Sequence, residues 1–292
     1  MQQLLQQQRV LIATLVDKLT GIGGIQAIVL GGSHARGQAR PESDIDLGVL
    51  YSDVAPFEIQ AMRQLLEGFN DTPAPTVTGF YEWGRWVNGG AWLTIEAQRV
   101  DVLYRSTERL QQVINEAHAG HYEIDYLQQP PFGFFSTTYL GEVAICEPLW
   151  DPQSVVAQLK AQVIEYPAKL QQRIVQEQLW SAELALQAFA TKFAARADTY
   201  GTVACLARAV NHVVLVLFAL NGRYLLNDKT ALREIAGFDR CPVDFSVRVQ
   251  RVLAQPGTSA AELAAAVNEI SQLVQQTREL AGEQYRPRYK LP

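Results

Sequence analysis

Gly31-Gly32-Ser33-His34-Ala35-Arg36-Gly37, followed a short spacer later by Asp44-Ile45-Asp46-Leu47, is the stretch from which the rest of the chain can be placed. The apolar run Ile25 to Leu30 ends abruptly in two glycines and a serine, which predicts a buried strand turning tightly into a short helix. Such a turn presents backbone N–H groups. Glycine lets a phosphate approach the backbone, Ser33 can cap the helix and donate a hydrogen bond, and a helix N-terminus favours an anion. In the second stretch Asp44 and Asp46 share one face of a strand while Ile45 and Leu47 share the other. Two carboxylates side by side repel each other unless a hard cation sits between them, and Mg²⁺ takes carboxylate oxygens together with phosphate oxygens. Each half alone has an ordinary explanation, as a turn or as a solvated strand face. The two in this order are far more specific.

A third acid lies in Val100-Asp101-Val102-Leu103-Tyr104, where it interrupts an otherwise apolar strand. A carboxylate there needs a partner if buried, and Arg99 and Arg105, on the same strand face, are candidates for an ion pair. The Gly-Gly-Ser turn, the acidic-apolar-acidic-apolar strand and this later apolar-Asp-apolar strand together resemble the signature of the nucleotidyltransferase superfamily with the polymerase-β-like fold. The resemblance covers the first half of the chain. It implies an α/β (α+β) mixed sheet with flanking helices, followed by an α-helical bundle similar in general layout to the substrate-binding bundles of antibiotic nucleotidyltransferases. It also implies an enzyme that moves a nucleoside monophosphate from an NTP, with ATP the expected one, to a hydroxyl of a small-molecule acceptor and releases pyrophosphate.

By the same resemblance, Asp44 and Asp46 bridge two Mg²⁺ ions and Asp101 completes the ion that holds the nucleophile. Alternatively Asp101 is the general base, with Glu96 on the paired strand in reserve. Gly31, Gly32 and Ser33 are expected at the β- and γ-phosphates. Arg36 either joins them or pairs with an acidic neighbour, and Lys229 is a candidate phosphate contact that a solvated loop explains almost as well. The acceptor is expected between the sheet face carrying Asp101 and the helical half, against Arg223 to Lys229 or Tyr126 to Phe135.

Composition narrows the classes. The 292 residues suffice for two domains, and the expected division is 1–152 for catalysis and 153–292 for the helical half. A net charge of −5 weighs against sequence-independent binding to long nucleic acid. Cys146, Cys205 and Cys241 are far apart and lack metal-ligand spacing, which points to reduced thiols in a cytoplasmic protein. No leader pattern is visible at the Gln-rich start, and apolar runs such as Val213 to Leu220 are too short to span a bilayer, so no membrane partner is expected.

Along the chain, Leu4 to Leu19 has helical periodicity, Pro56 to Phe69 predicts a helix over the sheet, and Glu108 to His118 another. Between them lie an aromatic-rich run to Val87, read as a strand, a turn at Asn88-Gly89-Gly90, and strands Ala91 to Glu96 and Arg99 to Arg105. Phe80, Tyr81, Trp83, Trp86 and Trp92 are dense here; most are expected to pack, and any one of them is a candidate to line the substrate. Ser136 to Ile145 is read as a further strand. From Gln153 onward the pattern is helical, with breaks near Tyr200-Gly201, Asn221-Gly222 and Gln255-Pro256-Gly257 and a central helix over Val203 to Leu220. Asn211 and His212 within it are read as satisfied core residues. Two rivals keep part of this reading: a toxin-like transferase acting on tRNA or protein, and a non-catalytic module that senses a nucleotide. The latter is expected to lack a carboxylate, and none of the three is missing. Oligomeric state is not legible.

Overall fold

The computed structural model describes residues 4–289. The chain divides into two compact units: residues up to Asn115 together with Glu123–Ile164, and Glu116–Tyr122 together with the chain from Glu165 onward.

The first unit begins with α1 (Gln6–Leu19), β1 (Ile25–Leu30), the single turn α2 (Gly32–Ala35), β2 (Ile45–Tyr51) and α3 (Ile59–Glu67). Then come β3 (Thr76–Val77), β4 (Gly90–Ile95), β5 (Gln98–Ser106), α4 (Thr107–Ala119), β6 (Ile124–Asp125) and β7 (Phe134–Phe135). The last elements are α5 (Thr138–Ile145), β8 (Glu147–Trp150) and α6 (Val155–Val163). Six strands form one mixed sheet in the order β3-β4-β5-β2-β1-β8. Its central pair, β2 and β5, runs parallel, and the long crossover that parallel strands require is supplied by α3 and the strands after it.

Alternation along these strands becomes a difference between two faces. Ile45, Leu47 and Val49 on β2 and Val100, Val102 and Tyr104 on β5 are fully buried, in one core with Leu15 and Leu19 of α1 and Met62 and Leu66 of α3. Asp46, Gly48, Asp101 and Leu103, the intervening residues, are only partly buried on the opposite face.

Several elements depart from the expectation. The aromatic run 80–87 is a loop of turns, because Tyr81 and Asn88 adopt φ of 60° and 61° and Gly84 of 101°, none compatible with a strand. The Asn88 side chain holds this loop, its Oδ1 accepting from Tyr81 N at 2.8 Å and its Nδ2 donating to Tyr51 Oη at 2.8 Å. The β4–β5 hairpin turns at Glu96 and Ala97, both at positive φ, where the Asp71 carboxylate accepts from their two N–H groups at 2.8 and 2.9 Å. Ser136 to Ile145 is helical from Thr138, and the edge strand is instead β8, antiparallel to β1. The expected boundary at 152/153 lies one helix before the division at Ile164. Within the first unit α6 closes the end of α5: Lys160 Nζ donates to the carbonyls of Val143, Ala144 and Cys146 at 3.2, 2.7 and 2.8 Å.

The second unit contains α7 (Ala168–Leu184), a π-helical turn (Ala185–Ala190), α8 (Thr191–Ala195), α9 (Thr199–Leu220), α10 (Ala231–Ile235), α11 (Phe245–Ala254) and α12 (Ala260–Ala281). The break before α9 falls ahead of Asp198, whose carboxylate accepts from Gly201 N at 2.9 Å as an N-cap, so Tyr200-Gly201 lies inside the helix. By length and composition α9 is apolar enough to cross a membrane, contrary to the reading of its runs as too short, yet most of it is buried within this unit. His212 is buried there, its Nδ1 2.5 Å from Gln178 Oε1, and burial lowers its pKa to about 4.

Candidate active site

The site is built on the half-open sheet face by one row of paired residues. Asp46 lies opposite Asp101 in the parallel β2–β5 ladder, and Asp101 lies opposite Trp92 in the antiparallel β4–β5 ladder. Residues directly paired across strands project to the same face. At the other end of the row the Gly31 N–H donates to the Asp46 carbonyl at 2.8 Å, which latches the glycine turn onto β2. Gly31, Asp46, Asp101 and Trp92 therefore follow one another across the sheet.

Gly32 shows why the turn needs glycine. Its φ is +57°, and a Cβ built there would lie 1.7 Å from Asp46 Oδ2. The carboxylate is thus packed against the glycine itself, and any side chain would displace it. Ser33 is not the cap of α2 as anticipated: Gly31 holds that position, and Ser33 lies inside the four-residue turn. His34 is buried in the same turn, and burial holds its imidazole below the usual pKa and hence neutral at pH 7. Arg36 ends the turn.

Asp44 differs from the other two acids. It precedes β2 by one residue, and extending the register one step places it opposite Arg99. The ion pair is there: Arg99 Nε lies 2.6 Å from Asp44 Oδ1. Arg105, the second suggested partner for Asp101, is committed elsewhere. Its guanidinium is buried and donates to both Glu142 oxygens at 2.7 and 2.8 Å. Burial works against its charge, but Glu142 outweighs that and raises its pKa.

Glu96 is not on the strand beside Asp101. It occupies the exposed hairpin turn, where its Oε2 accepts from Gln7 Nε2 at 3.3 Å, and Trp92 takes the position opposite Asp101 instead. Lys229 lies exposed in a loop of the second unit. Tyr126 is exposed in the segment between β6 and β7.

Among the described residues no group of three or more His, Cys, Asp or Glu is arranged to hold a metal ion. The Asp46–Asp101 pair nevertheless fits Mg²⁺, which is commonly held by one or two carboxylates completed by substrate phosphates rather than by an all-protein cage. The all-oxygen donor set suits that ion, and the register sets the two carboxylates directly opposite each other.

A cavity of about 310 Å³ lies elsewhere, lined by Asp53, Tyr81, Arg85, Glu108, Arg109 and Gln112 around the distal ends of β2 and β5. Its acids are already satisfied within the fold: Asp53 accepts from Tyr81 Oη at 3.0 Å, and Glu108 from Asp53 N at 3.0 Å.

Residues 12–120 match the nucleotidyltransferase domain family, which spans the glycine turn and all three acids. The first unit thus carries a nucleotidyltransferase domain, and the chain is an enzyme of that class. Residues 135–229 match a domain of unknown function (DUF4037). No curated protein matches the chain. Among solved structures it is similar to a nucleotidyltransferase-like protein from Exiguobacterium sibiricum 255-15, at 12% identity and a TM-score of 0.48, over 93% of this chain and 76% of that one. It is also similar to the spectinomycin adenyltransferase AAD(9) from Enterococcus faecialis, whose structure holds ATP and spectinomycin. There the identity is 12% and the TM-score 0.36, over 91% of this chain and 98% of the other.

Proposed function

We propose that the protein transfers a nucleoside monophosphate from ATP to a hydroxyl of a small-molecule acceptor in a Mg²⁺-dependent reaction, using the face that carries Asp46 and Asp101. The observation that carries this reading is the in-register opposition of those two carboxylates beside a glycine turn too close to Asp46 for any side chain. The Gly31–Gly32 turn, with Ser33, receives the β- and γ-phosphates where backbone can approach them. Asp46 and Asp101 are the residues that would hold Mg²⁺, and the ion when bound would offset charge that builds on the phosphoryl oxygens. Asp44, whose Oδ1 is paired with Arg99, would add a ligand through its other carboxylate oxygen.

In the transfer itself the acceptor oxygen bonds to the α-phosphorus as the bond to pyrophosphate breaks. Asp101, on the side of the pair away from the glycine turn, takes the hydroxyl proton as general base. Positioning of the two reactants in line supplies much of the remaining acceleration. An aminoglycoside-like acceptor accords with the acidic site, and the adenyltransferase with bound spectinomycin offers the same suggestion by likeness. Incubating the protein with α-³²P-labelled ATP, Mg²⁺ and a panel of aminoglycosides and aminocyclitols tests the proposal. Label should move to an acceptor in the wild type and not in Asp46→Asn. Equal transfer by that variant would overturn the assignment.

A further inference from the structure

We propose that Trp92, braced by Trp83, is the surface on which a hydroxyl-bearing ring of the acceptor lies, an inference that rests on the transfer reading above and names its substrate class.

Trp92 is paired directly with Asp101 and projects from the same sheet face as the carboxylates. It is 53% exposed although Trp83 stacks on it, with ring centroids 4.4 Å apart and an interplanar angle of 20°. An indole that exposed contributes little to the core. The companion ring is held by the backbone of the 81–87 loop: Trp83 N donates to Asn88 O at 2.8 Å, and the Trp83 carbonyl accepts from Gln128 Nε2. Gln128 is fixed in turn, its Oε1 accepting from Trp86 N at 2.8 Å. The pair is thus a rigid aromatic wall set beside the acids, and rigidity reduces the ordering cost of binding.

The order of the row assigns the wall its ligand. From the phosphate-binding turn at Gly31 the sheet presents Asp46, then Asp101, then Trp92, at strand spacings of about 4.8 Å. In-line displacement puts the nucleophile opposite the leaving pyrophosphate. If the pyrophosphate lies at the turn, the acceptor enters over Trp92. A sugar or cyclitol ring suits that place, because its C–H face packs on an indole while its hydroxyls point sideways toward Asp101. Amino groups on the ring would gain from the adjacent carboxylates.

The test uses the full chain with Trp92→Ala and Trp92→Phe, probed with spectinomycin, 2-deoxystreptamine, glucosamine and, as an open-chain control, sorbitol. At least one ring compound should change tryptophan emission saturably in the wild type and bind about tenfold more weakly to Trp92→Ala, as loss of aromatic stacking predicts. Trp92→Phe should recover most of the affinity, sorbitol should give no signal, and the Mg-ATP thermal shift should be the same in all three proteins. The proposal falls if no ring compound binds the wild type, or if Trp92→Ala binds it equally well. It also falls if that variant loses the Mg-ATP shift too, since the indole would then serve the nucleotide or the fold. A wild type that binds the ring in this way but never labels it from ATP would defeat the transfer reading and leave the platform standing.

Discussion

The two faces of the central strands share one backbone and divide its work. On β2 and β5, Leu47 and Val102 are fully buried against the helical layer, while their neighbours Asp46 and Asp101 project the other way beside a glycine turn. Hydrophobic burial on the first face holds the strands in register. The second face can then carry what a packed core would not: opposed carboxylates, a glycine at positive φ and a half-exposed indole. Perturbing one face should therefore change stability and perturbing the other should change chemistry.

The largest expected effect is on chemistry. Asp101→Asn should lower the transfer rate by on the order of a hundredfold to ten-thousandfold, as loss of a general base does, with the far-ultraviolet spectrum unchanged. Rates near wild type would move the base elsewhere. On the opposite face, Leu47→Ala should cost about 2–5 kcal/mol in urea unfolding. The acceptor KM, measured well below the melting transition, should stay within twofold; a specific change in KM would mean that the faces are not separable.

Gly32→Ala belongs to both faces' accounts. It should destabilise by about 1–3 kcal/mol through a residue held at positive φ, and abolish transfer because the new Cβ would displace the Asp46 carboxylate. The smallest effect is expected from Arg99→Ala, which removes a mostly exposed guanidinium from its ion pair with Asp44 and should change stability by no more than about 1 kcal/mol. Its transfer rate sharpens the role of Asp44: a rise would show the acid joining the site once released, and no change would leave Asp46 and Asp101 as the working pair.

Much of this division was legible in the sequence, because strand alternation has a period of two and both acidic strands show it clearly. Ile45 and Leu47 against Asp46, and Val100 and Val102 against Asp101, already separate a core face from an open face. The glycine turn was equally legible, since few residues other than glycine suit a tight strand-to-helix turn. The register between strands was not. Reading the hairpin strands as Ala91 to Glu96 and Arg99 to Arg105 sets Thr94 opposite Asp101. The turn instead closes on Glu96 and Ala97, held by Asp71 from a distant loop, and that moves Trp92 into the row and Glu96 out of it. The aromatic run 80–87 misled for a related reason. Its composition favours a strand, but Asn88 and Gln128 bind its backbone as a loop, and Gln128 is 42 residues from Trp86. The ion pair of Asp44 with Arg99 also follows from register, so alternation alone could only group Asp44 with Asp46.

The central claim, that Asp46 and Asp101 form a cation-holding pair rather than a structural one, is tested most directly by thermal unfolding of the wild type and Asp46→Asn with and without Mg²⁺ in the presence of ATP. In metal-free buffer without nucleotide the variant should melt close to the wild type, because Asp46 is only partly buried and projects away from the core face. Mg²⁺ with ATP should then raise the melting temperature of the wild type, by selective binding to the folded state, and not that of the variant. A variant that melts lower without metal and shares the full rise with it would contradict the account.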